Sequence, residues 1–334
     1  MKVIDKCPMT GRNTFGIEVC ADTLIEFESE EELRKALKIA KAPILTIGGG
    51  SNLLFMSDFH GTVLHSAIKG IEIVVDEEES VLIQAGSGVV WDDFVAFCTE
   101  RELWGAENLT AIPGEVGASA VQNIGAYGAE AKDIITEVRT VSVADGSTRV
   151  FANDECGYGY RESVFKNGLK GKYIVTYVTY RLSRKPLPNI GYGSLKESVE
   201  QLGSVTLPNI RTAVMRTRQS KLPDPKVLGN AGSFFMNPVI SEELFQTIAR
   251  KYPDVPSYPA GDGMRKVPAG WLIERCGWKG RALGKAAVHD RQALVLVNLG
   301  GATGADVKAL ADAVTDSVYD EFNIRLRTEV NYIK

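Results

Sequence analysis

The stretch IGGGSNLLF, Ile47 to Phe55, decides how the fold of this chain is read. It continues the short apolar run after Pro43, so it reads as a buried strand running into three glycines. A bend of this kind can expose consecutive backbone N–H groups as a nest for an anion. It is not the dinucleotide fingerprint G-x-G-x-x-G, because counting from Gly48 the third glycine would fall at Leu53. Taken alone, the turn leaves phosphate binding and a plain tight bend both open.

A second segment, IPGEVGASAVQNIGAYGAE, carries Gly114, Gly117, Ala118, Ser119, Gly125, Ala126 and Gly128, so side-chain bulk is minimal along a long surface. Two such stretches suggest a large ligand lying against main chain. Other glycine motifs fall away on inspection. In GWKGRALGKAAV, Gly280 and Gly284 are too close for a P-loop, and Ala286 stands where Ser or Thr is required, which excludes ATP hydrolysis by that route. In GNAGSFFMNP (229–238), Ser233 lacks the flanking glycines of a hydrolase elbow, since Ala231 and Phe235 occupy those positions.

The 334 residues, with 44% hydrophobic and 24% charged, are enough for more than one compact unit and leave little room for disorder. A net charge of −4 without a dense Lys/Arg block gives no footprint for nucleic acid. The N-terminus MKVIDKCPMTGRNTFG lacks the apolar core of a signal peptide, and no apolar run reaches bilayer length, so the expectation is a cytoplasmic protein without membrane insertion. Cys7, Cys20, Cys98, Cys156 and Cys276 are far apart with no C-x-x-C pair and read as reduced thiols. His60, His65 and His289 show no metal spacing, so no metal is expected.

Around these motifs the chain mixes element types. Ser29 with Glu32 predicts a capping box for a helix over Ser29–Ala42 that Pro43 stops, and WDDFVAFCTEREL, SEELFQTIARKY and DVKALADAVTDSVYDEF predict further helices. GTVLHS, IEIVV, SVLIQAG, EVRTVSVADGSTRVF with an Asp145-Gly146 turn, KYIVTYVTYRL, ALVLVNL and NIRLRTEVNYI predict strands, and the acidic tract Asp76–Glu79 a solvated hairpin tip. RKPLPNIGYG (184–193) is the best domain seam. Strands clustered early with helices interspersed argue for an α+β fold without regular βαβ winding. On their own, Arg161 in CGYGYRES reads as a cation on an aromatic, and Glu329 as the solvent side of an edge strand.

Taken together, NTFGIE, IGGGSNLLF, ENLTAIPGEVGASAVQNIGAYGAE, CGYGYRESVFK, SKLPDPKVLGNAGSFFMNP, PAGWLIERCGWKG and AAVHDRQALVLVN resemble the UDP-N-acetylenolpyruvoylglucosamine reductase family, in order from Asn13 to Glu329. The GYGSL segment resembles the type I form, with a mobile tyrosine loop over the substrate. The resemblance implies a FAD-binding fold of the vanillyl-alcohol-oxidase (PCMH) kind, in two α+β subdomains over 1–67 and 68–200, followed by an α+β substrate-binding domain over 201–334. It implies non-covalent FAD, NADPH as hydride donor, UDP-N-acetylglucosamine-enolpyruvate as substrate, a place in bacterial peptidoglycan synthesis, and a monomer.

The resemblance also carries site residues onto this chain. Gly48, Gly49, Gly50, Ser51 and Asn52 would cradle the FAD pyrophosphate, and Gly114, Gly117, Ala118, Ser119, Gly125 and Tyr127 would line the rest of the cofactor. Arg161 and Glu329 would stabilise an enolate, and Ser233 would protonate the carbon alpha to the carboxylate. An ionised Glu329 would oppose the developing charge, so the reading has it protonated or sharing a proton at that moment. A neutral serine is a poor acid in water, so Ser233 depends on positioning. Tyr192, Lys221, Asn237 and Gln292 match the family's substrate contacts, with Lys221 supplying charge for the diphosphate. The chain departs from longer relatives after Glu329, and it has Lys285 where a small residue is common. Competing expectations are a FAD-dependent oxidase of small alcohols or sugars, and a catalytically silent flavin or sugar-nucleotide binding protein.

Overall fold

In the computed structural model, which describes residues 1–334, the first helix, Glu30–Ile39, starts where Ser29 accepts a hydrogen bond from the Glu32 N–H. The expected capping box is only half present, because the Glu32 carboxylate turns back to the Glu28 N–H at 2.8 Å. Carboxylates in this first turn also complement the helix dipole.

The chain divides into two compact units. The first, comprising Met1–Cys7, Ala21–Gly49 and His60–Ser220, holds two larger sheets and a short pair, Gly125–Ala126 with Ala129–Glu130. In one, the order is Lys2–Pro8, Cys20–Phe27, Phe59–Ser66, Ile44–Ile47, with the last two strands parallel. The other is antiparallel, ordered Thr148–Ala152, Ile135–Ser142, Tyr173–Ser183, Ser80–Gly86, Ile71–Asp76. Gly146, at φ +74°, makes the expected turn between the first two of these.

Helix Trp91–Glu100 buries Trp91 and Phe94 beside Tyr180, with the Phe94 and Tyr180 rings 4.5 Å apart. Leu33 and Ala36 of the first helix share one apolar cluster with Phe27, Leu64, Val141 and Ile174. Glu30 adds a polar tie: Arg139 donates to both its oxygens at 2.7 and 2.9 Å, and this pairing holds the carboxyl below its ordinary range despite burial.

Helix Leu207–Lys221 buries Ile210 and Val214 against Trp104, so the boundary between units falls at Ser220/Lys221. The expected break after residue 200 therefore differs from the packing, and the Pro- and Gly-rich stretch 184–193 lies inside the first unit. An amphipathic face is visible in sequence, but the domain that receives it is not.

The second unit joins Pro8–Cys20 and Gly50–Phe59 to Lys221–Lys334. Its main sheet is antiparallel, in the order Gly229–Ser233, Val295–Asn298, Ala286–Val288, Ala282–Leu283, and helix Gly304–Phe322 packs on it. That helix has a full capping box between Thr303 and Asp306 and ends at Asn323 in the left-handed region. Asn298 donates to the Phe15 carbonyl at 2.9 Å, and the Asn230 N–H donates to Thr14 at 2.9 Å, which gives the NTFG block a structural role.

The expected single strand over 323–333 is divided. Ile324 and Leu326 alternate in burial with Arg325 and Arg327, but only a bridge between Phe235 and Thr328 forms there, and the regular strand is Asn331–Ile333, parallel to Leu53–Phe55. Alternation reports an extended chain with one face covered, and a ladder needs a partner as well. No helix is long and apolar enough to cross a membrane.

Candidate active site

In the first unit the two glycine-rich segments come together. A Cβ on Gly49 would stand 3.4 Å from the Cα of Gly114, and one on Gly48 would stand 3.5 Å from the Cβ of Ala118. Beside Gly48 the nearest side-chain atom is Glu115 Oε2, 3.2 Å from the same Cβ position, and the small residues around it fit a large cofactor laid along main chain. Gly117 answers a packing demand: its Cβ would be 2.8 Å from the Cβ of Ser87, and its N–H donates to the Ser87 carbonyl. The Ser119 hydroxyl is engaged in the core with Val116 O at 2.7 Å and the Tyr180 hydroxyl at 2.8 Å.

Arg161 sits in the left-handed region at φ +59°, with Nη2 donating to Gly125 O at 2.6 Å and Nη1 to Asn123 O at 3.4 Å. A Cβ on Gly125 would lie 2.8 Å from Arg161 Nη1, so glycine is what admits the guanidinium to that carbonyl. The cation also stands 5.3 Å from the Tyr160 ring centroid, in keeping with the stacking read from CGYGYRES. Tyr127 and Tyr192 meet edge to face at 6.1 Å, and burial raises the Tyr127 hydroxyl above its ordinary value.

In the second unit Ser233 ends the strand Gly229–Ser233 after a register shift, with Gly232 at φ +68° and its N–H held by Asn230 Oδ1 at 2.9 Å. The next residue, Phe234, accepts the Glu329 N–H at 2.8 Å, so Ser233 and Glu329 are one hydrogen-bonded peptide apart. Phe234 and Phe235 are buried beneath them. Asn52 donates to the Glu329 carbonyl at 3.2 Å, and its own carbonyl accepts the Asn331 N–H at 3.1 Å. Gly50, at φ +66°, presses on the Arg12 carbonyl with no room for a Cβ.

Asn237 and Gln292 converge on the first turn of helix Ala269–Arg275. Asn237 Oδ1 accepts the Ala269 N–H at 2.9 Å, and Gln292 Oε1 would be 3.2 Å from a Cβ on Gly270. Lys221 is exposed at the end of its helix. The five cysteines are free thiols, and burial pushes Cys156 and Cys276 up to about 11, which makes them poor nucleophiles.

Residues 21–152 match the description "FAD binding domain", and residues 224–333 match "UDP-N-acetylenolpyruvoylglucosamine reductase, C-terminal domain". The chain is 50% identical over 330 residues to UDP-N-acetylenolpyruvoylglucosamine reductase of Bacteroides fragilis, covering 98% of this chain and 99% of the relative. The chain belongs to the UDP-N-acetylenolpyruvoylglucosamine reductase family. The reductase of that name from Porphyromonas gingivalis is 48% identical over 337 residues, covering both chains fully at 100%. The crystal structure of UDP-N-acetylenolpyruvylglucosamine reductase from Thermus caldophilus aligns with a TM-score of 0.70 at 24% identity, over 100% of this chain and 98% of that one, and so agrees with the α+β fold.

Several supports in this member of the UDP-N-acetylenolpyruvoylglucosamine reductase family lay outside the sequence reading. Arg211 makes two bonds to Asp92, at 2.8 and 3.0 Å, while Asp92 also accepts the N–H of Ala111, a residue at φ +57°. Arg218 donates to Ala111 O at 3.2 Å, and desolvation lowers its pKa. His65 stands 3.0 Å from Glu115 Oε1 and 3.3 Å from Glu26 Oε1. The bond to Glu115 is the chief reason its pKa is raised, with desolvation opposing. The other Glu115 oxygen would be 3.2 Å from a Cβ on Gly48, so His65 compensates a carboxylate beside the glycine turn. No spacing rule could have found these contacts, since each joins segments far apart in sequence.

Proposed function

We propose that this chain is a cytoplasmic, monomeric, NADPH-dependent flavoenzyme that reduces the enolpyruvyl ether of UDP-N-acetylglucosamine-enolpyruvate to UDP-N-acetylmuramate, a precursor step of peptidoglycan synthesis. The near full-length relation to reductases at 50% identity carries this reading. FAD, when bound, would supply the hydride chemistry between NADPH and the methylene carbon of the substrate. We assign cofactor binding to 1–67 and 68–200, and sugar-nucleotide binding to 201–334.

The backbone N–H groups of Gly48, Gly49 and Gly50, with Ser51 and Asn52, would hold the pyrophosphate. Gly114, Gly117, Ala118, Ser119, Gly125 and Tyr127 line the remainder of the cofactor. Arg161 is already oriented by the Gly125 and Asn123 carbonyls, so it can oppose charge on the substrate's carboxylate and adjacent carbon without reorganising. Ser233 gives its proton to the alpha carbon, and Glu329, tied to the neighbouring Phe234 carbonyl, stabilises the enolate as a proton-bearing partner. Phe234 and Phe235 exclude water beneath them. Tyr192, Lys221, Asn237 and Gln292 engage the sugar nucleotide.

The test is NADPH consumption by the purified yellow protein with and without the enolpyruvyl nucleotide. Oxidation that requires that acceptor supports the proposal. Rapid reoxidation of reduced flavin by oxygen with no use of the nucleotide points to an oxidase, and bound FAD with no hydride transfer in single-turnover mixing points to a silent binding protein.

A further inference from the structure

Asn108 is 2% exposed, yet its role is not in the chemistry described above. Its Nδ2 donates to Tyr127 O and to Asn189 O, each at 2.7 Å. Both partners are carbonyls, so the amide can face them only with its nitrogen, and both donor hydrogens are spent. Its Oδ1 is left buried without a partner. An unmade bond on one side of a buried amide is costly, which makes the two bonds on the other side the reason for the residue.

What these bonds join is specific. Tyr127 belongs to the glycine-rich segment assigned to the cofactor, and Asn189 precedes Tyr192 on an exposed loop where Leu187 is 62% and Tyr192 48% exposed. Asn189 returns the contact, donating from Nδ2 to Gly128 O at 3.1 Å. A Cβ on Gly128 would stand 3.5 Å from the Cβ of Tyr192, so the loop lies directly on this segment. Ile190 packs beside Trp104 and Leu195, after which Gly191 and Gly193 flank Tyr192 with open space at both glycines. The loop is thus fastened at Asn189 and Ile190, and the tyrosine occupies the short tip beyond.

We propose that Asn108 is a positioning residue: its side-chain amide holds the Tyr192 loop onto the Tyr127 segment before substrate arrives. Ordering the loop during folding leaves less conformational entropy to be lost on binding. The functional part of the proposal rests on the reading of Tyr192 as a substrate contact.

The experiment compares Asn108→Ala, Asn108→Asp and Tyr192→Ala as FAD-loaded full-length enzymes. It reads amide hydrogen exchange across residues 187–193 without substrate, and KM for the enolpyruvyl nucleotide separately from kcat. Asn108→Ala should speed exchange in the loop and raise KM, each about tenfold, with kcat changed much less. Asn108→Asp should be worse, because a carboxylate would face two carbonyl oxygens. Wild-type exchange in the loop of Asn108→Ala overturns the proposal, as does faster exchange with unchanged KM when Tyr192→Ala raises KM. An unchanged KM in Tyr192→Ala overturns instead the substrate role of Tyr192, and loop exchange still decides whether Asn108 holds the loop. Should both Asn108 variants fail to fold, Asn108→Ser, whose single short hydroxyl cannot serve both carbonyls, should speed loop exchange in the same direction, and no change there overturns the proposal.

Discussion

The side-chain amide of Asn52 donates to the backbone carbonyl of Glu329 over 3.2 Å, so a residue of the glycine turn fixes the main chain of a proposed acid–base residue. Asn331 reinforces the contact from the same end of the chain, through its N–H and its side chain. Asn52→Ala should therefore do more than weaken cofactor binding. At saturating FAD, oxidation of reduced flavin by the enolpyruvyl nucleotide should slow about tenfold, the size of one lost part-buried hydrogen bond. Stopped-flow absorbance of the flavin measures it, and an unchanged rate would show that Asn52 does not govern the placement of Glu329.

Ser233→Ala separates the two half-reactions. Flavin reduction by NADPH should stay close to wild type, while reoxidation by the enolpyruvyl nucleotide should slow by about two powers of ten or more, the scale of general acid catalysis. Equal loss in both half-reactions would mean damage to the flavin site and would remove Ser233 from the chemistry.

His65 makes stability depend on pH with a definite sign. Its pKa is raised in the fold, chiefly by the bond to Glu115, with Glu26 adding to it and burial opposing. The groups facing it are Glu115 ahead of helix Val116–Gln122 and Glu26 on the neighbouring strand, the latter also 3.9 Å from Lys2 Nζ. A raised histidine pKa gives stabilisation that is fully present below the unfolded value, about 6.5, and is lost as pH rises through the folded value. Thermal melts from about pH 6 upward should show this loss in wild type and not in His65→Gln, the difference being on the order of 1 kcal/mol. Parallel profiles for the two proteins would refute the assignment.

Gly50→Ala tests the turn that opened the sequence reading. The backbone is at φ +66° and the new methyl would meet the Arg12 carbonyl, so the second unit should lose about 2–4 kcal/mol and the protein should retain less FAD. Gly168→Ala, with nothing within 4 Å of its Cβ position, is the matched control and should melt within a degree or two of wild type. Equal melting temperatures for the two variants would show that Gly50 is not required by the approach to Arg12.

The sequence disclosed those features whose cause is local. Glycine at 48, 49, 50 and 125 is visible because a missing side chain is itself a signal, and the structure shows what each omission admits: the Glu115 carboxylate at 48, the Gly114 backbone at 49, the Arg12 carbonyl at 50 and the Arg161 guanidinium at 125. Ser233 departs from the hydrolase-elbow pattern on its neighbours Ala231 and Phe235 alone. Hidden were the contacts between distant segments. Asn108 reads as an ordinary polar residue until Tyr127 and Asn189 are seen converging on it. Helix Leu207–Lys221 packs with Trp104, a partner that its apolar face alone does not name. The family resemblance named Arg161, Ser233 and Glu329, and only the coordinates show the carbonyls and N–H groups that hold two of them in place.

The Asn52–Glu329 contact also spans 277 positions of sequence. A contact of that separation closes a very long loop and is paid for by entropy before it yields any stabilisation. During synthesis, the strand Leu53–Phe55 leaves the ribosome early and waits unpaired for Asn331–Ile333, exposing an edge that chaperones or aggregation can reach. Glu329 can be set in position only after the chain between it and Asn52 has emerged, so partial translation products carry the glycine turn without Glu329 fastened to it.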